Sequence, residues 1–361
     1  MKFFVGFGIT LCIFGTIGMM FTFSGFKRNN IDEKIVQHNL DIKSDTLEVD
    51  IETSNNIGLN FYPSESGESY VEFVYNGSEY KFDNINEFYN NDVFTIKSLQ
   101  NENVYLGFDF NDLKINFYLD EDIDNVILDN KNDYNIYSTS NFNNLELDDI
   151  NSDVDINIYN SSVDSLSITS IFTMAVNLYN SEIKEIDNMN VLFSGVYNPL
   201  TFRLYLSSSE VDDVNINFSD FKFVGENSVC SNINAVGSGF SFDGDTCTFD
   251  SIVSNCTTND FIFNNSFVTS LEAEGSDYLN FQAYNCNFSE VNVNSDRGDI
   301  VLDNCKFDKN GNMSFNEVYA EVNSCGGCEV VIDNEVFLEN EDKKGIIIEG
   351  FVGSFTGADS Y

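Results

Sequence analysis

Residues 223 to 309 read FVGENSVCSNINAVGSGFSFDGDTCTFDSIVSNCTTNDFIFNNSFVTSLEAEGSDYLNFQAYNCNFSEVNVNSDRGDIVLDNCKFDK, and one short phrase returns through them. A small polar residue is followed by Ser or Cys, then any residue, then an apolar one: Asn227-Ser228-Val229-Cys230, Thr246-Cys247-Thr248-Phe249, Asn265-Ser266-Phe267-Val268, Asn285-Cys286-Asn287-Phe288, Asn304-Cys305-Lys306-Phe307. Followed outward, the Ser/Cys position recurs at Ser140, Ser161, Ser181, Ser209, Ser228, Cys247, Ser266, Cys286, Cys305 and Cys325, with steps of 21, 20, 28, 19, 19, 19, 20, 19 and 20. A period near twenty residues is the mark of a stacked repeat, each unit too small to bury its apolar face alone.

The residue before each Ser/Cys is Thr139, Asn160, Asn180, Ser208, Asn227, Thr246, Asn265, Asn285, Asn304 or Ser324, all able to hydrogen-bond backbone at a corner. Two residues beyond it lies a mostly apolar column, Phe142, Val163, Ile183, Val211, Cys230, Phe249, Val268, Phe288 and Phe307. Upstream, pairs such as Ile156/Ile158, Val176/Leu178, Leu204/Leu206 and Ile300/Leu302 alternate with the period of two of a strand that buries one face. The pattern predicts an all-β fold: a single-stranded, right-handed parallel β-solenoid of about ten coils of ~20 residues each over 119–332. Phe223, Phe242, Phe261 and Phe281 fall in one column, which predicts an internal phenylalanine ladder. The 28-residue step between Ser181 and Ser209 carries VLFSGVYNPL with Pro199 and predicts a protruding loop.

Residues 31–118 lack the register and alternate over longer runs such as LEVDIET, SYVEFVYN and LKINFYL, which predicts an antiparallel β cap over the first coil. Residues 333–361 predict a closing strand, GIIIEGFVGSF, and a tail. Within 1–30, Phe3 to Phe26 carries no charged residue, long enough to cross a hydrocarbon core as an uncleaved signal anchor, so the membrane is the first expected partner, through residues 3–26. Lys2 on one side and Lys27 with Arg28 on the other balance the positive-inside rule.

Seventeen Lys and Arg against 59 Asp and Glu give a net charge of −42, which excludes nucleic acid as a partner and leaves cationic peptides and divalent cations as candidates. Apolar residues at 42% and 35 Phe exclude an acidic disordered chain. With His38 the single histidine, no His-rich zinc site or His relay exists. Cys247, Cys286, Cys305 and Cys325 stand in the column otherwise held by Ser, and Cys230 in an apolar column, so they read as small buried side chains rather than disulfide partners. Setting Cys12 aside leaves seven cysteines, an odd number.

Several motifs read best as ordinary turn or surface chemistry. Cys325-Gly-Gly-Cys328 lacks a second pair, Arg297-Gly298-Asp299 falls at an expected corner, Asp308-Lys-Asn-Gly-Asn312 lacks the closing Glu of a calcium loop, and Asp120-Glu121-Asp122 and Asp148-Asp149 are hydrated charge runs. Arg28, Arg203 and Arg297 read as widely spaced and without a basic partner in the repeat register, which leaves lyase chemistry on acidic sugars without its cations. No catalytic, cofactor-binding or metal-ligating residue is assigned and no cofactor is expected, because the carboxylates that glycoside hydrolysis needs do not stand out from the acidic background.

The stretches DTLEVDIETSNNIGLNFYPSESGESYVEFVYN, LKINFYLDEDIDNVILDN and NIYSTSNFNNLELDDINSDVDINIYN, behind an apolar amino terminus, resemble the bacterial "putative adhesin" family (domain of unknown function 4097) across most of 45–330. Where that family carries Pro before the first coil and Ser-Gly-Asp corners, this chain has YLDE and Asn151-Ser152-Asp153. The resemblance implies a membrane-tethered cell-envelope protein, its solenoid outside the cell membrane, acting without catalysis as an adhesin-like scaffold or envelope-stress sensor. It transfers no site residue. The alternative is a cell-surface carbohydrate-active enzyme on a β-helix fold, recognisable by two or three acidic residues gathered with an aromatic platform in one groove.

Overall fold

The computed structural model describes residues 33–52, 57–76, 87–97, 113–130, 134–150, 154–170, 173–189, 201–308, 311–323, 330–332, 335–338 and 346–356. They form an all-β solenoid of about 8 turns, without an α-helix. The strands Glu210–Glu226, Val229–Asp245, Thr248–Asn264, Phe267–Tyr284 and Asn287–Asp303 stack in parallel, with Val211 against Cys230, Cys230 against Phe249, Phe249 against Val268 and Val268 against Phe288. The apolar column read from the sequence is therefore one line through the core.

Within a turn, inward residues alternate, but the interval widens to three between Val211 and Val214 and again between Phe218 and Phe221. Each widening is a bend, so the chain encloses its apolar side chains instead of presenting a flat face. In earlier turns the second bend parts the strands, as between Phe142–Ile150 and Val154–Tyr159, or Ser162–Ser170 and Met174–Tyr179.

The third bend is the repeated phrase. Asn160, Asn180, Ser208, Asn227, Thr246, Asn265, Asn285 and Asn304 all have φ between 49° and 57°, the left-handed region that Asn tolerates better than other non-glycine residues. This reversal turns the next side chain, Ser or Cys, into the interior, where Ser161, Ser181, Ser209, Ser228, Cys247, Ser266, Cys286 and Cys305 are all buried. A buried hydroxyl needs partners. Ser181 Oγ donates to Tyr179 O at 2.9 Å and accepts from Ser161 N at 3.4 Å; Ser209 Oγ donates to Ser207 O and accepts from Ser181 N; Ser228 Oγ donates to Glu226 O and accepts from Ser209 N. Thiols take the same place: Cys286 Sγ donates to Tyr284 O at 3.2 Å and accepts from Ser266 N at 3.4 Å. Ser140 begins the line, and its Oγ is the one buried side-chain polar atom among the described residues without a partner.

The phenylalanine column is buried throughout but is not a uniform stack. Phe223 and Phe242 lie parallel, 4.8 Å apart at 4°, whereas Phe242 and Phe261 meet edge to face at 70°. Phe249, Phe263 and Phe288 enter the same space, and Phe242 packs closer to Phe263, at 4.8 Å, than to its register partner Phe261, at 6.2 Å. Register brings the rings together; edge-to-face preference sets their angles.

Among its described residues, the region 31–118 matches the expected antiparallel cap only in part. Thr46–Glu52 and Ile57–Pro63 run parallel to Asn125–Asn130 and Tyr134–Ser138, and Val93–Lys97 and Leu113–Leu119 lie parallel on their other side. They are turns of the solenoid, visited out of chain order. Among the described residues of this region, antiparallel pairing is confined to Glu33–Asn39 with Tyr70–Asn76, the latter with Leu113–Leu119, and Tyr89–Asn90 with Val93–Lys97. A two-residue alternation records which face is buried and says nothing about the partner's direction, hence the difference. At the other end Ile346–Thr356 pairs in parallel with Gly311–Asn323. The expected membrane segment 3–26 and the loop around VLFSGVYNPL lie outside the described residues.

The corner makes a direct prediction for stability. Asn180→Gly keeps the left-handed backbone and is expected to change unfolding free energy by less than about 1 kcal/mol, while Asn180→Val forces a β-branched residue there at a cost of about 1–2 kcal/mol. Urea unfolding of the two variants checks it; equal midpoints would remove the corner's conformational role.

Candidate binding face

The outward side chains of the segment before the corner form columns of their own. Tyr118 lies in register with Tyr62, and Tyr159 with Tyr179, while Tyr137 and Tyr205 occupy the neighbouring outward column beside Asn60, Asn116, Asn157 and Asn177. The rings join into one line. From Tyr70 it passes to Tyr118 at 4.4 Å, Tyr62 at 5.1 Å, Tyr137 at 5.8 Å, Tyr159 at 5.1 Å, Tyr179 at 4.5 Å and Tyr205 at 5.6 Å. Each of these tyrosines is half-buried, its ring against neighbours and its edge toward solvent. Between them run amide pairs, with Asn60 Nδ2 donating to Asn116 Oδ1 at 2.7 Å and Asn177 Nδ2 to Asn157 Oδ1 at 3.1 Å.

Five of these phenols are held more firmly in the protonated form than a free tyrosine. Burial, then the neighbouring Glu72, pushes Tyr118 up to about 12, and burial raises Tyr62, Tyr70, Tyr159 and Tyr205 in the same direction. Tyr205 Oη donates to Glu226 Oε2 at 3.1 Å. The line is thus a strip of neutral aromatic edges with hydroxyl and amide groups on a strongly acidic molecule. Beside it, the corner residues Asn160, Asn180, Ser208 and Asn227, with Glu182 and Glu210, line an open trough of about 560 Å³.

The sequence reading picked out none of these tyrosines. It also misjudged the arginines: Arg203 stands directly opposite Lys222 on the next turn, so a basic pair does lie in the repeat register. The reading followed the inward columns outward from Ser/Cys and left the outward ones unaligned.

Carboxylates do gather, on the segment after the corner. Repulsion from Asp187 first, then burial and Asp213, raises Glu185, and Asp164 pairs with Lys184 at 2.6 Å. These residues line neither the trough nor the cavities described below, and the tyrosine line lies on the other segment. Acidic residues and aromatic rings meet instead in one open cleft of about 490 Å³, which Asp220, Asp260, Phe221, Phe240 and Tyr278 line. Among the described residues no group of three His, Cys, Asp or Glu is placed to hold a metal ion. His38 meets the Phe73 ring edge to face at 6.3 Å.

The remaining motifs resolve individually. Arg297-Gly298-Asp299 lies at a bend, where the inward interval within the strand Asn287–Asp303 widens from Ser295 to Gly298, with Asp299 accepting from Tyr278 Oη and Gly298 buried, where an added Cβ would clash with Phe315. Asp308 Oδ2 accepts from Ser289 Oγ, and residues 309–310 of the calcium-like motif lie outside the described set. Asp120 and Asp122 border a hollow of about 760 Å³ with Asp41, Asp45, Glu68 and Lys43. Cys230, Cys247, Cys256, Cys286 and Cys305 are buried thiols in no disulfide among the described residues, while Cys12, Cys325 and Cys328 lie outside them.

No family model matches the chain, so the resemblance over 45–330 stands without that support, and no curated protein matches it either. Two solved structures are similar in outline. One, named a "Putative lipid binding protein from Parabacteroides distasonis", shares 10% identity and a TM-score of 0.25 over 90% of this chain and 96% of its own. The other, a "putative cell adhesion protein from Clostridium sporogenes", shares 12% identity and a TM-score of 0.23 over 70% of this chain and 100% of its own. Neither likeness is close enough to speak to function.

The buried thiols predict an alkaline weakness. Burial, the largest cause, raises Cys247 from 9.0 to about 11, and Cys230 and Cys256 rise for the same reason. A thiol that ionises later in the folded than in the unfolded chain contributes stability that is whole below pH 9.0 and is lost as pH climbs toward 11. Thermal unfolding across that window is expected to show a falling midpoint, with a shallower fall in Cys247→Ser, whose hydroxyl fits the column's own chemistry. A slope unchanged by the substitution would refute the assignment, as would rapid labelling of Cys247, Cys286 and Cys305 in the native protein.

Proposed function

We propose that the protein is a non-enzymatic binding protein of the cell envelope, adhesin-like, which holds its solenoid outside the membrane and contacts its partner through the tyrosine–asparagine face. The observation that carries the reading is the unbroken line from Tyr70 to Tyr205. Aromatic edges with hydroxyl groups supply contact area at low cost in side-chain entropy, which is why tyrosine recurs in recognition surfaces. On a chain of net charge −42 a neutral strip is the place where a partner approaches without ionic repulsion.

The arrangement favours an extended partner. Groups repeat at the spacing of the turns, about 4.8 Å, so a polymer lying along the rod meets the same chemistry at every step. Residues 3–26 supply the anchor in this reading, and the apolar run before Lys27 and Arg28 sets the rod immediately beyond the membrane.

Two measurements test it. Cells displaying the full chain with a carboxy-terminal tag are expected to lose the tag to external protease; full protection of the tag would place the rod inside and end the envelope reading. Tyr159→Ser with Tyr179→Ser is expected to lower attachment of those cells to envelope-polysaccharide-coated surfaces by about tenfold with unchanged circular dichroism. Undiminished attachment by the double variant would sink the assignment of the face.

A further inference from the structure

The tyrosine line has a chemical property that packing alone does not use. The chain carries 17 Tyr and no Trp, so no indole competes with its phenols for an oxidising equivalent. The thiols of Cys230, Cys247, Cys256, Cys286 and Cys305 are buried in the core, away from a reagent in solvent. The tyrosines of the line are half-buried, and their ring edges face the solvent from which a one-electron oxidant arrives.

Three pairs in the line are held as close neighbours. Tyr159 and Tyr179 stand opposite one another on adjacent parallel strands, with ring centroids 4.5 Å apart and planes within 8°. Tyr118 has such a neighbour on either side, Tyr70 at 4.4 Å and 11° and Tyr62 at 5.1 Å and 29°. Two phenoxyl radicals on separate molecules have to meet by diffusion, whereas two fixed on adjacent strands of one rod couple as a unimolecular event.

Oxidising a phenol also requires a place for its proton. Tyr205 Oη already donates to Glu226 Oε2 at 3.1 Å, and Glu72 stands beside Tyr118 at the other end of the line. Between those ends the rings follow one another at 4.5 to 5.8 Å, in contact close enough to pass an unpaired electron along. A radical begun at either end therefore reaches a stacked pair.

We propose that the stacked tyrosines are sites of oxidative cross-linking, where a haem peroxidase with hydrogen peroxide joins Tyr159 to Tyr179, and Tyr118 to Tyr62 or Tyr70, as dityrosine. Each phenol gives up one electron and one proton. The two radicals form a carbon–carbon bond between ring positions ortho to the hydroxyls, and the two ortho hydrogens pass to the oxygens to restore the phenols. The peroxide takes up the two electrons and two protons and leaves as two waters. Each bond stitches one turn to the next, and the one between Tyr159 and Tyr179 closes a loop of twenty residues. This chemistry goes beyond the reading of the face as a contact surface and does not depend on it.

The test treats the purified full-length chain, in dilute solution, with a haem peroxidase and limiting hydrogen peroxide, and reads dityrosine fluorescence and mass-mapped peptides. A single-chain product is expected, lighter by two hydrogens per bond, with the Tyr159 peptide joined to the Tyr179 peptide and a raised urea midpoint. Tyr179→Phe keeps the ring without the hydroxyl and is expected to lose that peptide pair while the links at Tyr118 persist. Tyr278 and Tyr319, 36% and 37% exposed and outside the line, are the internal control. Cross-links that follow exposure to those two rings, or that join only separate chains, would overturn the assignment. So would absence of dityrosine, or an unchanged urea midpoint in the linked product.

Discussion

Everything in this molecule depends on the left-handed corner. A solenoid turn can pair with the turns above and below only if it closes along the same path each time, and closure happens where Asn160, Asn180, Asn227, Asn265, Asn285 and Asn304 reverse the chain. The cost of φ near 50° is met residue by residue: each reversal lets the following Ser or Cys point inward, take the backbone N–H of its neighbour and return a proton to its own chain two residues back. The inter-turn backbone ladder passes through the corner unbroken, as in Glu182 N to Ser161 O at 3.0 Å and Glu210 N to Ser181 O at 2.9 Å. Asn side chains add an outer rail, Asn180 to Asn160 and Asn304 to Asn285. Cysteine substitutes for serine because its sulfur reaches the same two partners at the longer distances that sulfur prefers.

Once the path is fixed, each outward position becomes a column, and a column punishes or rewards repetition. Carboxylates repel along and between strands, as Glu185 shows, pressed first by Asp187 on its own strand and also by Asp213 opposite it on the next turn. Amides repeated at successive turns bond to one another, and tyrosines stack. Asn60 with Asn116, Asn157 with Asn177, and Tyr159 with Tyr179 at 8° between ring planes are the favourable cases. The tyrosine strip therefore helps hold the turns in register and at the same time offers a partner a regular surface. Both follow from stacking identical side chains at the turn spacing.

This logic also explains which features were legible in the residue order. The corner was, because Asn-Ser/Cys recurs at a nearly constant step and because few other residues tolerate that backbone. The inward columns were, for the same step. Ring orientation was not: sequence places Phe242 beside Phe261 in register, while the actual packing turns Phe242 toward Phe263 and Phe249. Strand direction was not, so Thr46–Glu52 and Ile57–Pro63 looked like a cap when they are parallel turns reached out of order. The tyrosine line escaped for two reasons. Its members alternate between adjacent outward columns, Tyr137 and Tyr205 beside Tyr159 and Tyr179, and its first members, Tyr62, Tyr70 and Tyr118, join only through that reordering. Arg203 and Lys222, one regular step apart, were readable and were passed over because their column faces solvent.

The same geometry weighs on the choice between catalysis and binding. Catalysis needs an acid, a base and a substrate clamp converging on one bond within a few ångströms. An in-register solenoid spreads equivalent groups along lines and separates unlike groups onto different segments. Here the carboxylate gathering around Glu185 follows the corner and the aromatic line precedes it. Convergence then has to come from a bend or an insertion, and the bend across Asp220, Gly239 and Lys222 is where unlike charges, hydroxyls and an aromatic ring do meet. One cation, Lys222, lines that bend together with two carboxylates, Asp220 and Asp260. Outward columns repeat the same contacts at each turn, so a surface of this kind gains contact area simply by adding turns.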